Sequence, residues 1–90
     1  MKVKELLTDE SKWCQDNVAL NAAGEACGSS CPDAAKWCLF GAINKCYPFD
    51  ERQRIYDLIH EKLYIGFINW NDAPERTFED VKQLVNDLNI

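Results

Sequence analysis

A single histidine, His60, is all that this chain carries for proton transfer near neutral pH. It sits beside Glu61 in a stretch of amphipathic periodicity, next to Leu63 at the edge of the apolar stripe, where a boundary side chain is expected rather than a base. A thiol nucleophile needs a neighbouring base or cation to lower its pKa, and the only histidine lies in this amphipathic stretch rather than beside a cysteine. The Ser/His/Asp order of a hydrolase and the glycine-rich phosphate loop are also missing. Basic runs are equally scarce. Ten Lys and Arg against fifteen Asp and Glu give a net charge of -5, with no cluster to neutralise nucleic-acid phosphates or anionic lipid, so direct nucleic-acid binding is not expected. No long apolar run exists either. The opening Met1-Lys2-Val3-Lys4-Glu5 meets charge at once, and no later segment approaches the length of a membrane span, which implies a cytoplasmic protein without a membrane anchor. The five cysteines are an odd number, which with no export signal argues for reduced thiols and against a disulfide scaffold.

What is present describes a folded protein. Hydrophobic residues make up 47% and charged residues 28% of ninety positions, the balance of one globular domain spanning 1–90 and not of a disordered tail. At this size folding buries only about 60 to 65% of the surface the unfolded chain exposes, so the core is modest and stability marginal. Cys14, Cys38 and Cys46 are expected in that core, since cysteine is among the most buried residue types.

Periodicity predicts mainly α structure, a compact single domain of four to five helices with room for one short β-hairpin near residues 17–27. Val3, Leu6 and Leu7 have helical spacing over about 2–7, and a second short helix over about 9–15 follows a cap at Thr8 or Asp9. Asn17 to Asn21 alternates polar and apolar ahead of Ala22-Ala23-Gly24, the pattern of a hairpin turning at Gly24. Pro32-Asp33 reads as a helix start capped by Ser30 or Cys31, and the apolar run from Ala34 to Ile43 as a central helix over 33–45. Tyr47-Pro48 ends it, Asp50 can cap the next, and Ile55, Leu58, Ile59 and Leu63 form one stripe over 51–64. Gly66 to Trp70 reads as short and extended. Thr77 with Asp80 forms a capping box that opens a last helix bearing Phe78, Val81, Leu84, Val85 and Leu88.

Three constellations could carry function. The amide-rich loop around Trp70, Asn71, Asp72 and Arg76 is the first: Asn71 and Asp72 are side chains that fold back on their own backbone to make turns, and Arg76 could pair with Asp72 or offer a bidentate site to a carboxylate or phosphate. An EF-hand register from Asn69 fails, with Ala73 at the fifth position and Pro74 where glycine is required. The second is a zinc site. Cys27 and Cys31 lie in a polar loop, Cys38 follows, and Cys14 could approach from an earlier helix, although the two tight ligand pairs of structural zinc are absent. The third is the repeated Lys-Trp-Cys triplet at 12–14 and 36–38, where three matching residues are thin support for a duplication.

Trp37-Cys38 with Gly41-Ala42, then Trp70-Asn71-Asp72 with Pro74, Arg76 and Thr77 and a closing amphipathic helix, resembles a family of small uncharacterised bacterial and phage proteins, a domain of unknown function. The likeness extends from about Leu6 to Leu88 and includes Trp13 and the stretch before Gly24. Cys27 and Cys31 are outside the pattern. The resemblance implies a cytoplasmic setting, in a bacterial cell or a phage-infected one, and brings no catalytic residues. Three readings follow: an acidic interaction protein acting on a protein partner, such as a phage-encoded modulator of a host factor; a zinc-stabilised domain using Cys14, Cys27, Cys31 and Cys38; or a small-molecule-binding or enzymatic domain centred on Trp70 to Arg76. The first is favoured, because no cluster holds enough titratable groups for catalysis. No cofactor is expected on that reading.

Overall fold

The computed structural model describes residues 1–63 and 65–90. In chain order the elements are α1 (Val3–Leu6), a single 3-10 turn (Glu10–Lys12), β1 (Ala19–Asn21), β2 (Ala26–Cys27), β3 (Ala34–Trp37), α2 (Leu39–Cys46), α3 (Phe49–Lys62), α4 (Phe67–Asp72) and α5 (Phe78–Leu88). Among the described residues, five helices and a small antiparallel sheet of three strands confirm the mainly α expectation.

The hairpin forms where alternation and Gly24 predict it. Gly24 takes φ 83°, a left-handed geometry that costs glycine nothing, and Asn21 Oδ1 accepts hydrogen bonds from the amides of Ala23 (3.0 Å) and Glu25 (2.9 Å) to close the turn. The third strand was not expected. Ala34–Trp37 lies antiparallel to β1 in the order β2-β1-β3, pairing Ala19 with Trp37 and Leu20 with Lys36, with an irregularity between Leu20 and Asn21. A short apolar run cannot be divided between helix and strand by periodicity alone, and here the ladder to β1 claims its first half. The central helix therefore spans only Leu39–Cys46, and its cap is Cys38, whose Sγ accepts from the Gly41 amide at 3.3 Å, in place of Ser30 or Cys31.

Other boundaries shift for similar reasons. The segment expected as a helix over 9–15 shrinks to the 3-10 turn, capped by Asp9 through the Ser11 amide, because Trp13 and Cys14 leave it to bond the sheet. Pro48, not Asp50, stands at the cap of α3; Asp50 lies in the first turn, where the helix dipole favours its charge. Position 64, the end expected for that helix, lies outside the described residues, and the helix itself closes at Lys62. Gly66 to Trp70 is not extended, since Phe67–Asp72 is helical and buries Phe67 and Asn71 one turn apart. The capping box of α5 is as expected. Thr77 Oγ1 accepts from the Asp80 amide at 3.3 Å, and Asp80 Oδ2 accepts from the Thr77 amide at 3.1 Å.

Helix α2 sits in the middle, contacting α1, α3, α4 and β3, while α5 packs against α1. The core joins Leu39, Ala42 and Ile43 of α2 with Ile55 and Ile59 of α3 and with Val81, Leu84 and Val85 of α5. Burying each of the larger of these side chains stabilises the fold by about 1.5 to 3 kcal/mol. The chain ends meet: the Lys4 amide donates to the Ile90 carbonyl at 3.1 Å, and Ile90 is buried.

Candidate functional site

Asn71 is the one buried polar side chain among the described residues, with no exposed surface. Its placement follows from α4, which turns it inward one turn after Phe67. Oδ1 accepts from the Trp13 indole Nε1 (2.8 Å) and from the Leu39 amide (3.1 Å), while Nδ2 donates to the Cys14 carbonyl (3.2 Å) and to Asp72 Oδ1 (2.8 Å). Every donor and acceptor of the carboxamide is used. The expectation that Asn71 folds back on its own backbone is thus corrected: it ties together the segment after the 3-10 turn, the start of α2 and the end of α4. Asp72 also reaches across the fold, accepting from the Asp16 amide at 3.0 Å. Asp16 holds φ 68°, a left-handed conformation that Asp tolerates better than most residues. Gln15 completes the junction by donating from Nε2 to the carbonyls of Asn71 (2.9 Å) and Ala73 (2.8 Å), which end α4. Replacing Asp72 with alanine is expected to lower stability by about 0.5 to 2 kcal/mol in urea unfolding, the range for a lost capping-type bond at a partly exposed site.

Arg76 pairs with Asp80 and not with Asp72. Its Nη1 lies 3.6 Å from Asp80 Oδ2, Nε donates to the Trp70 carbonyl at 2.8 Å, and the guanidinium carbon stands 4.2 Å from the Trp70 ring centroid. Stacking of a planar cation on an indole holds both side chains in place and fastens α4 to the start of α5. Backbone hydrogen bonding to Thr77 and the nearby Arg76 hold the Asp80 carboxyl below the usual range. The four residues of the expected loop site fall into two pairs, Asn71 with Asp72 and Arg76 with Trp70. Asn71 and Arg76 are engaged with the fold itself.

Cys14 and Cys38 are buried as expected, whereas Cys46, expected in the core, lies half-buried against it because it closes α2 at the surface. Burial pushes the Cys14 thiol up to about 12 and the Cys46 thiol up to about 11, and burial also raises Cys38. Cys27 and Cys31 are half-exposed, and desolvation and the neighbouring Cys31 thiol raise Cys27. Among the described residues no three His, Cys, Asp or Glu side chains gather as metal ligands. A thiol reagent under native conditions should modify Cys27 and Cys31 well before Cys14 and Cys38, read by peptide mass mapping over time. His60 is exposed with its ring centroid 5.5 Å from that of Phe67, an edge position as expected.

The Lys-Trp-Cys triplets come together in space. Trp13 and Trp37 form an isolated parallel bridge, and the Cys14 amide donates to the Trp37 carbonyl at 3.1 Å. Both indoles are satisfied, Trp13 by Asn71 and Trp37 by the Ser29 carbonyl at 3.0 Å.

Beside the Asn71 junction the surface opens into a cavity of about 160 Å³ whose walls include Val18, Cys38, Phe40 and Ile68, with Asp16 and Asp72 at its rim. Ile68 is 48% exposed and Val18 40% exposed, so the cavity mouth is apolar and faces solvent.

The sequence model of a family of unknown function (DUF6197) matches residues 1–88. The chain belongs to this family. No curated protein and no solved structure matches it.

The DUF6197 match ends at Leu88, where α5 ends, so it takes in every helix and strand described above. Within this DUF6197 domain, the Trp-Asn-Asp and Trp-Cys motifs are the two sides of one junction, joined through Asn71, Trp13 and the amide that follows Cys38. No helix among the described residues is long and apolar enough to cross a membrane. Sequence reasoning missed Gln15, Asp16, Val18, Phe40 and Ile68. Single exposed aliphatic residues carry no sequence signal, and only the turn of α4 that brings Asp72 against Asp16 also sets Ile68 beside Val18.

Proposed function

We propose that this DUF6197 domain is an interaction protein that binds another protein through the face formed by Val18, Phe40 and Ile68 and rimmed by Asp16 and Asp72. The observation that carries this reading is the exposure of Ile68 and Val18 around an apolar cavity. Isolated exposed aliphatics are ordinary, but a group of them over a concave apolar floor with a polar rim is the make-up of a binding surface. Catalysis is less well supported, because Asn71 and Arg76 are committed to the fold and no histidine reaches the cavity. The acidic surface favours a partner of opposite charge. A cytoplasmic setting in a bacterial or phage-infected cell, with a host factor as partner, fits the same reading.

The test is affinity capture from bacterial lysate with the unmodified domain and with a Val18→Ser, Ile68→Ser double variant. A stoichiometric partner retained by the first and lost by the second, with the melting temperature held within a few degrees, is the expected result. Retention of the same partner by the double variant would rule out this face.

A further inference from the structure

The cavity beside Asp72 does not end at Phe40. Phe40 also lines a groove of about 390 Å³ together with Tyr56 and Phe49, between α2 and α3. Phe49 is 84% exposed, the largest exposure of any large hydrophobic side chain among the described residues. The aromatic rings of the groove wall pack on one another and on α4. Phe40 stacks near Tyr56 (6.1 Å between centroids) and Phe67 (6.1 Å), Tyr56 stacks on Phe67 (5.3 Å), and the Tyr56 hydroxyl donates to Asn44 Oδ1 at 2.7 Å. Aromatic side chains held in this way lose little conformational freedom on binding, which favours tight contacts.

Charge decides what such a strip would accept. Asp16 and Asp72 stand at one end and Asp50 at the other. Among the described residues the one cation lining the groove is Arg52, which donates from Nε and Nη2 to the carbonyls of Tyr47 and Asn44, both at 3.0 Å, lies 5.9 Å from the Phe49 ring centroid, and offsets Asp50 at that end. No salt bridge among the described residues neutralises Asp16, Asp50 or Asp72. An apolar strip with two carboxylates and no cation at its Val18–Ile68 end, on a domain of net charge -5, repels phosphate backbones and anionic lipid and attracts a chain that pairs apolar anchors with a flanking cation.

We propose that the strip from Val18 and Ile68 across Phe40 to Phe49 docks a basic amphipathic segment of a partner protein, with aliphatic or aromatic anchors over Phe40 and Tyr56 and Lys or Arg against Asp16 and Asp72. This rests on the reading of the Val18–Ile68 face as a docking surface. It adds the extent of that surface and the chemistry of its occupant.

The test is selection of a displayed library of random 16-residue peptides on the immobilised full chain, followed by binding of the leading synthetic peptide to variants. Enriched peptides should place Lys or Arg beside apolar anchors. Phe49→Ser and Ile68→Ser should each weaken the leading peptide by on the order of tenfold, the effect of removing a central anchor, with the melting temperature held within a few degrees because both side chains are largely or half solvent-exposed. Asp16→Asn keeps the left-handed backbone and should weaken binding several-fold at low salt, a loss that fades as ionic strength rises. Glu10→Gln, remote from the strip, should bind as the unmodified chain does. Peptides that lose affinity on Ile68→Ser and Phe49→Ser but carry no cations would overturn the basic occupant and leave the surface standing. Loss on Ile68→Ser without loss on Phe49→Ser would confine the surface to the smaller cavity and overturn the extended strip. Enriched peptides indifferent to both, or no enrichment at all, would overturn this proposal and the docking face together.

Discussion

Asn71→Ala is expected to leave the domain largely unfolded at ambient temperature. The substitution removes the acceptor for the Trp13 indole and the Leu39 amide and the donor for the Cys14 carbonyl, all inside the structure. A buried polar group left without a partner costs about 1 to 3 kcal/mol, so three of them together cost on the order of 3 to 9 kcal/mol. Small domains have only about 5 to 15 kcal/mol in total, and one this size lies toward the lower end. Urea titration followed by tryptophan fluorescence measures the effect directly. Asn71→Asp should fare no better: it keeps the acceptors but loses the donor to Cys14 and faces the Asp72 carboxylate, now with a buried charge. Near-native stability for either variant would show that the carboxamide network contributes little.

The second large effect is expected at Gly41. Helix propensity alone says that alanine should stabilise a helix interior by about 1 kcal/mol relative to glycine. Packing says the opposite. A Cβ at position 41 would collide with the Val18 carbonyl oxygen and lie 3.0 Å from its carbon and 3.1 Å from Val18 Cγ1. Backbone cannot swing away as a side chain can, and the Val18 carbonyl is held by the Cys38 amide at 3.2 Å. Overpacking of this kind costs about 1 to 3 kcal/mol or more, which outweighs the propensity gain, so Gly41→Ala should lower the urea midpoint. Displacing Val18 would also distort the proposed docking face. An unchanged or raised midpoint would mean that α2 can slide away from β1 at little cost.

These two positions show what the sequence makes legible. The amphipathic stripe and Thr77–Asp80 box of α5 are written in local spacing and appear as expected. The Gly24 hairpin is local too. What escaped is non-local: Ala34–Trp37 becomes a strand because β1 offers it a ladder, and α4 forms because Phe67 and Asn71 have somewhere to go. Of the expected site residues, Asn71 and Arg76 are drawn into contacts with residues distant in sequence or on the next helix, such as Trp13 and Asp80. A carboxamide that binds a ligand and one that binds an indole look the same in a sequence. The exposed face at Val18 and Ile68 arises only from tertiary placement.

The order β2-β1-β3 has a bearing on how any partner can attach. At one edge β2 offers only Ala26 and Cys27, and at the other the segment holding Trp13 and Cys14 already occupies the end of β3 through Trp37. A strand needs several unpaired main-chain groups in a row to capture a further strand, and neither margin supplies a long one. Addition of a partner strand to the sheet is therefore poorly served by this fold. Recognition falls to side chains, and the same blunted margins protect an acidic ninety-residue domain from edge-to-edge aggregation.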